Sequence, residues 1–219
     1  MIRLFCAAAI LLAACGLVSS DLVLYRVHFP PKDFTVDTAD WGLAESPAVP
    51  QIPCDMDCTQ ICSGGGCSGS CGGDLCQATL QVTLFQDYNL STEPSGYSDI
   101  LDQSVVSVNL DDIFFQISMN TLNVESPALQ VVIGPQTITR LGDPGAQIIG
   151  IIPAIRAGQT GRVDVSLASG ADNILKSFMD NFHTPFRVVI TGAKVVHGGE
   201  AAPAGKLVGQ VQADAHVSL

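Results

Sequence analysis

Six cysteines fall within the stretch CDMDCTQICSGGGCSGSCGGDLC, at Cys54, Cys58, Cys62, Cys67, Cys71 and Cys76. Thiols packed this closely do one of two kinds of chemistry. Oxidised in pairs they staple a chain whose own core is thin; kept as thiolates they hold zinc, copper(I) or an iron–sulfur cluster. The spacing lacks the C-x-x-C pairs that zinc ribbons and most zinc knuckles use. The number is even, as a disulfide framework requires. The compartment decides between the two, so the N-terminus has to be read next.

The chain opens MIRLFCAAAILLAACGLVSSD, in which Arg3 precedes an apolar run from Leu4 to Ala14. A run this short, behind one positive charge, has the form of a secretory signal peptide rather than of a membrane-spanning helix, which needs roughly 18 apolar residues or more. Its end, Leu12-Ala13-Ala14-Cys15, resembles the lipobox of bacterial lipoproteins. That resemblance implies cleavage before Cys15, acylation of the Cys15 thiol and a membrane anchor through acyl chains. Gly16 stands where an Asp would imply retention at the inner membrane, so the resemblance points to the outer membrane. The alternative is an ordinary signal peptide cut after Ser20, with Asp21 as the first mature residue.

An exported chain permits oxidation, and disulfides become the expected state of the cluster. Of eight cysteines, Cys6 lies in the leader and Cys15 would carry lipid, which leaves the six. Six cysteines allow 15 connectivities. Folding the stretch back at Ser63-Gly64-Gly65-Gly66 brings Cys62 to Cys67, Cys58 to Cys71 and Cys54 to Cys76, a nested ladder. Neighbours four apart on a helix hold their Cβ atoms about 5–6 Å apart, too far for a bond that wants roughly 3.5–4.5 Å. Pairing across limbs is therefore favoured. The twin C-x-x-x-C limbs resemble disulfide-stapled helical hairpins, although glycine in the second limb argues against helix there. No metal or other cofactor is expected.

Residues 1–14 are thus read as signal peptide, 15–53 as a lipid-anchored extension or linker, 54–76 as the cysteine-rich module and 77–219 as a folded β domain. The extension begins with an alternating run to Phe29 that suits a strand, then turns rich in Pro, Asp and Ser around the single tryptophan, Trp41, read as a cover over the domain's flank. From Gln77 onward, runs rich in Val and Ile at 78–86, 104–122, 128–134, 147–155, 162–168, 185–196 and 206–217 recur between Gly, Pro, Asp and Asn breaks. Seven or so such strands predict a mainly β chain, an Ig-like antiparallel sandwich, with the long run 104–122 bending near Asp111 and Asp112. One segment departs from the pattern. Ile174, Leu175, Phe178, Met179 and Phe182 follow a helical stripe, predicting a short helix near 171–182, started by Ser169 or Asp172 and stopped at Pro185.

A strand pair followed by GIIPAIRAGQTGRVDVSL, a helix, TPFRVVITGAKVV and a last strand is similar in pattern to the water-stress domains of the late embryogenesis abundant proteins, over residues 104–217. Those domains are Ig-like sandwiches with one helix, and the resemblance implies that fold here. It implies nothing about activity.

Catalytic motifs are lacking: G-x-S-x-G, H-E-x-x-H and phosphate-binding glycine loops do not occur, and His28, His183, His197 and His216 stand in separate segments. His197 with Glu200 is a weak pair of metal ligands, and Asp111-Asp112 and Gly142-Asp143-Pro144-Gly145 lack the D-x-D-x-D-G calcium pattern. The chain carries 10 basic against 21 acidic residues, a net charge of −11, and loss of Arg3 with the leader makes it more negative still. Such a charge repels nucleic acid and anionic headgroups. The expected function is a lipid-anchored envelope protein, not an enzyme, with a binding or structural role toward another envelope protein or a glycan. Two alternatives are a metal-handling lipoprotein that uses the cysteine cluster, and a hydrolase with an active site assembled from distant segments.

Overall fold

The computed structural model describes residues 24–43, 46–92, 105–180 and 184–218. The leader, Cys15, Phe182 and His183 lie outside them. Among the described residues the chain is mainly β: two antiparallel sheets face each other as a sandwich, with one short helix.

The first sheet has five strands, β1 (Leu24–His28), β2 (Lys32–Asp37), β5 (Ser107–Asn120), β8 (Gly161–Asp164) and β11 (Lys206–Ser218). Here β1 and β2 follow one another along the same edge of β11, pairing Leu24 with Ser218 and Lys32 with Val211, while β5 and then β8 lie on its other side. The second sheet has six, in the order β3 (Cys67–Gly72), β4 (Leu75–Tyr88), β10 (Phe186–His197), β6 (Leu129–Pro135), β7 (Gln147–Ile152) and β9 (Ser166–Leu167). The chain crosses from the first sheet to the second at Val165, whose N–H still donates to Ile113 while Ser166 already pairs with Ile151.

Alternation of side chains builds the interior. In β4, Cys76, Ala78, Leu80 and Val82 point inward and are buried, while Gln81, Thr83 and Phe85 point out. Ile113, Phe115 and Ile117 do the same for β5, and Phe34, Phe115 and Phe186 are among the largest wholly buried side chains. The bend expected near Asp111 is a bulge: Asp214 pairs with Asp112 and Ala215 with Leu110, so Asp111 is the extra residue.

The region before the cysteine cluster, read as an extension, contributes to this core. Val27, Phe34, Val36 and Trp41 are buried in it, and Trp41 sits at the end of a single 3₁₀ turn, Thr38–Trp41, capped by the Asp37 carboxylate accepting from the Ala39 N–H. The boundary expected at 76/77 falls inside β4.

The helix α1 (Ala171–Met179) closes one end of the sandwich against β5 and β7. Its N-cap is Gly170, with no side-chain cap, so neither Ser169 nor Asp172 plays that part. The Asp172 carboxylate instead accepts the N–H of Leu110 and ties the helix to β5. Met179, Leu175 and Ala171 are the buried residues of the stripe; Phe178 is half-buried, its ring 5.7 Å from that of Phe186. Beside the helix the sheets leave an apolar cavity of about 40 Å³ between Tyr88, Leu110, Leu175 and Phe186.

Candidate functional site

The cysteines form three disulfides, Cys54–Cys71, Cys58–Cys76 and Cys62–Cys67, with Cα separations of 5.4, 5.3 and 5.5 Å. The innermost pair is the expected one. The outer two are exchanged relative to the nested ladder, which joined Cys54 to Cys76 and Cys58 to Cys71. The reason is a second reversal. The chain turns not only after Cys62 but again at Gly73-Asp74, so that β3 and β4 form a hairpin with Cys71 directly opposite Cys76. The limb carrying Cys54 and Cys58 therefore meets these two cysteines side by side. Cys54 is fixed near the turn, its N–H donating to the Asp74 carbonyl, and the 3₁₀ turn Cys58–Ile61, capped by Asp57, lies against β3. Gly69 permits this approach: a Cβ there would stand 1.9 Å from the Cys58 carbonyl oxygen. Asp57 accepts hydrogen bonds from the backbone and hydroxyl of Thr59, which hold its carboxyl below the ordinary carboxylate range. As disulfides the six sulfurs offer no thiolate to a metal.

The other expected ligands are engaged in closing turns and tying strands. Glu200 accepts the His197 backbone N–H within its hairpin. Asp112 takes both oxygens to the Arg162 guanidinium, at 2.7 and 2.8 Å, and Asp111 pairs with His216. With His28–Asp214 and Arg162–Asp164 these pairs make the outer face of the five-stranded sheet a lattice of alternating charges. Among the described residues no three His, Cys, Asp or Glu side chains gather as a group able to hold a metal ion.

The outer face of the six-stranded sheet is built differently. Its middle is a trough of about 550 Å³ with a floor supplied by three strands. Thr83 of β4 lies opposite Thr191 of β10, which lies opposite Gln130 of β6, and Gln81 lies opposite Ala193 in the next row. One wall is the β6–β7 connection, residues 136–146, with Arg140 and Leu141 at the rim. Sequence reasoning did not find this site. Each residue reads as the polar half of an alternating strand, and only the pairing of β4, β10 and β6 collects them.

The wall is pinned to the sheet. Ile138 is buried with Val132 and Val189 in a small second core on this outer face. Its carbonyl accepts from Arg187, whose guanidinium also grips both oxygens of Asp87 and stacks over Phe85 with its carbon 4.3 Å from the ring centroid. Asp143 closes the connection by accepting from the N–H groups of Thr139 and Arg140 and from the Thr139 hydroxyl. These bonds, the Thr139 N–H first, lower the Asp143 pKa, and the Arg187 hydrogen bonds lower that of Asp87, so both stay ionised and in place at neutral pH. Neither a carboxylate nor an imidazole lines the trough. Its amides, hydroxyls and guanidinium are groups that donate and accept hydrogen bonds.

No protein-family model matches this chain, and no curated protein matches it.

Proposed function

We propose that the chain is a lipid-anchored envelope lipoprotein with a non-catalytic binding role, held at the outer membrane through acyl chains on Cys15. The observation that carries this reading is that all six cysteines of the cluster are joined in disulfides, a state that chains keep in exported compartments and lose in a reducing cytosol. It agrees with the leader and the Leu12-Ala13-Ala14-Cys15 sequence. Two or more acyl chains, at about 0.8 kcal/mol per buried methylene, anchor stably where one does not. From Cys15 to the start of β1 at Leu24 is a contour of at most roughly 32 Å. The sandwich would therefore stand close to the bilayer, and its binding surfaces would face other envelope components.

Intact-mass measurement on protein extracted from membranes tests this. The expected mass is that of a chain beginning at Cys15 with acyl groups and three disulfides. A mass beginning at Asp21 without acyl groups overturns the anchor. Six free thiols with stoichiometric zinc or copper would replace the binding role with metal handling.

A further inference from the structure

We infer that the trough on the outer face of the six-stranded sheet binds a neutral oligosaccharide, laid along β4 from Phe85 past Thr83 to Gln81. The inference rests on the binding role proposed above and names its ligand class.

Unused hydrogen-bonding capacity is the first ground. Among the described residues, the side chains of Gln81, Thr83, Gln130 and Thr191 make no hydrogen bond within the protein, although they stand together in adjacent rows of one sheet. Some amides elsewhere on the sheets are engaged, Gln86 with the Asp33 carbonyl, Gln210 with the Asp33 carboxylate and Gln77 with Ser70, and what sets the trough apart is that four open groups share one depression. Amides and hydroxyls both donate and accept, and so do the neighbouring hydroxyls of a sugar. The two sets match without any charge.

Charge decides the class of saccharide. No Lys or Arg occurs between Lys32 and Arg140, and the chain as a whole is at −11. A polyanion would meet that field on approach. The trough itself offers one cation, Arg140, which is 79% exposed. Its Nε reaches Asp143 at 3.4 Å, and its terminal amino groups have no hydrogen-bond partner among the described residues. One guanidinium suits a hydroxyl or ring oxygen, whereas a uronate or sulfate chain needs several. A peptide strand would dock on a sheet edge, where backbone groups are open, rather than on a face.

Shape and rigidity agree. The volume lies within the range of small-ligand sites, roughly 300–1,000 Å³. Phe85, 52% exposed, continues the line of Thr83 and Gln81 just beyond the trough in steps of about 7 Å; Arg187 stacks on its ring, and the part of the ring left exposed is an aromatic surface for the apolar face of a sugar ring. The wall is already fixed by Asp143, Ile138 and Arg187, so little order has to be gained on binding.

The test uses the full lipidated chain in detergent against an array of neutral oligosaccharides of glucose, galactose, mannose and N-acetylglucosamine, with polyuronate and sulfated chains alongside. Titration of the best neutral binder then compares the parent with Gln81→Ala/Gln130→Ala, Thr191→Val and Phe85→Ala. The glutamine and threonine changes are at the surface, whereas Phe85→Ala also removes the ring on which Arg187 stacks; a melting curve for each shows that the fold persists. Expected are binding to at least one neutral oligosaccharide, at least a tenfold loss in the double glutamine variant and smaller losses in the other two. No binding to any neutral oligosaccharide at millimolar concentration overturns the inference, as does binding that the double variant leaves unchanged. Stronger binding to polyuronate than to every neutral chain overturns the neutral class. The acyl mass, read on the same preparation, separates the outcomes. Failure on the array with the anchor intact sinks the trough assignment and leaves the envelope reading standing, whereas a missing acyl group sinks the anchor whatever the array shows.

Discussion

Cys58 and Cys76 illustrate how one bond can join two structures. Cys76 is wholly buried at the start of β4 and Cys58 heads the 3₁₀ turn packed on β3, so their disulfide ties the crossing limb to the sandwich interior. Cys62–Cys67 closes a much shorter loop, 5 residues in sequence against 18. In the chain-entropy model the longer loop is worth about 3 kcal/mol and the shorter about 2. Replacing Cys58 and Cys76 together by alanine is therefore expected to lower the unfolding free energy more than replacing Cys62 and Cys67, since it also empties a buried position. Denaturant unfolding of the two double variants checks the order; equal losses would mean that Cys58–Cys76 is no more than a surface staple. Peptide mapping without reduction should recover Cys54 linked to Cys71.

At the scale of elements, α1 is the piece whose packing differs most from its sequence pattern. The stripe gives Ile174, Leu175, Phe178, Met179 and Phe182 equal standing, and its aromatic members are expected to dock the helix; Phe182 lies outside the described residues. In the fold Phe178 is half-buried at the rim, while Met179 and Leu175 carry the contact with the core. Met179→Ala and Leu175→Ala should each cost about 2–5 kcal/mol, the range for emptying a buried aliphatic site, and Phe178→Ala should cost less than either. Thermal or denaturant melts of the three variants give the ranking; a larger loss at Phe178 would place the helix in a different rotation. The helix has no side-chain N-cap, and its start depends on Gly170, which adopts the left-handed conformation that glycine accommodates at φ 80°, and on Asp172 holding Leu110. Asp172 thus acts across elements, in place of the local capping that its position suggests.

For the whole molecule, one core joins the regions on both sides of the cysteine cluster. Val27, Phe34, Val36, Trp41, Ile61 and Cys76 belong to the same buried set as Phe115, Leu129, Ile190 and Val217. The strands β1 and β2 cover an entire edge of β11, and β3 covers the edge of β4. A fragment 77–219, the unit that composition marks off, would lose all three strands, leave the backbone edge of β11 unpaired and remove Val27, Phe34, Val36 and Trp41 from the core. It is expected to remain without cooperative unfolding or dispersed amide signals, whereas a chain from Asp21 to Leu219 should show both. A fragment that melts cooperatively would make the N-terminal third a removable cover.

Period-two alternation, the single helical stripe and the bend near Asp111 were legible in the sequence, because each depends on residues adjacent in the chain and on the pleat or turn that they can form. The innermost disulfide was legible for the same reason, since five residues around a Gly-rich turn leave few other choices. What only the tertiary structure decided is non-local. A second reversal at Gly73 exchanged the outer disulfides, and the pairing of β2 with β11 made a strand of what reads as a linker. The trough belongs to this class entirely. Gln81, Thr83, Gln130, Arg140 and Thr191 come from three strands and a connection that the sequence separates widely, and nothing in any one of those segments distinguishes it from an ordinary solvated face. Local patterns say which side of a strand meets water; which other strand stands beside it depends on the free energy of the whole packed sandwich.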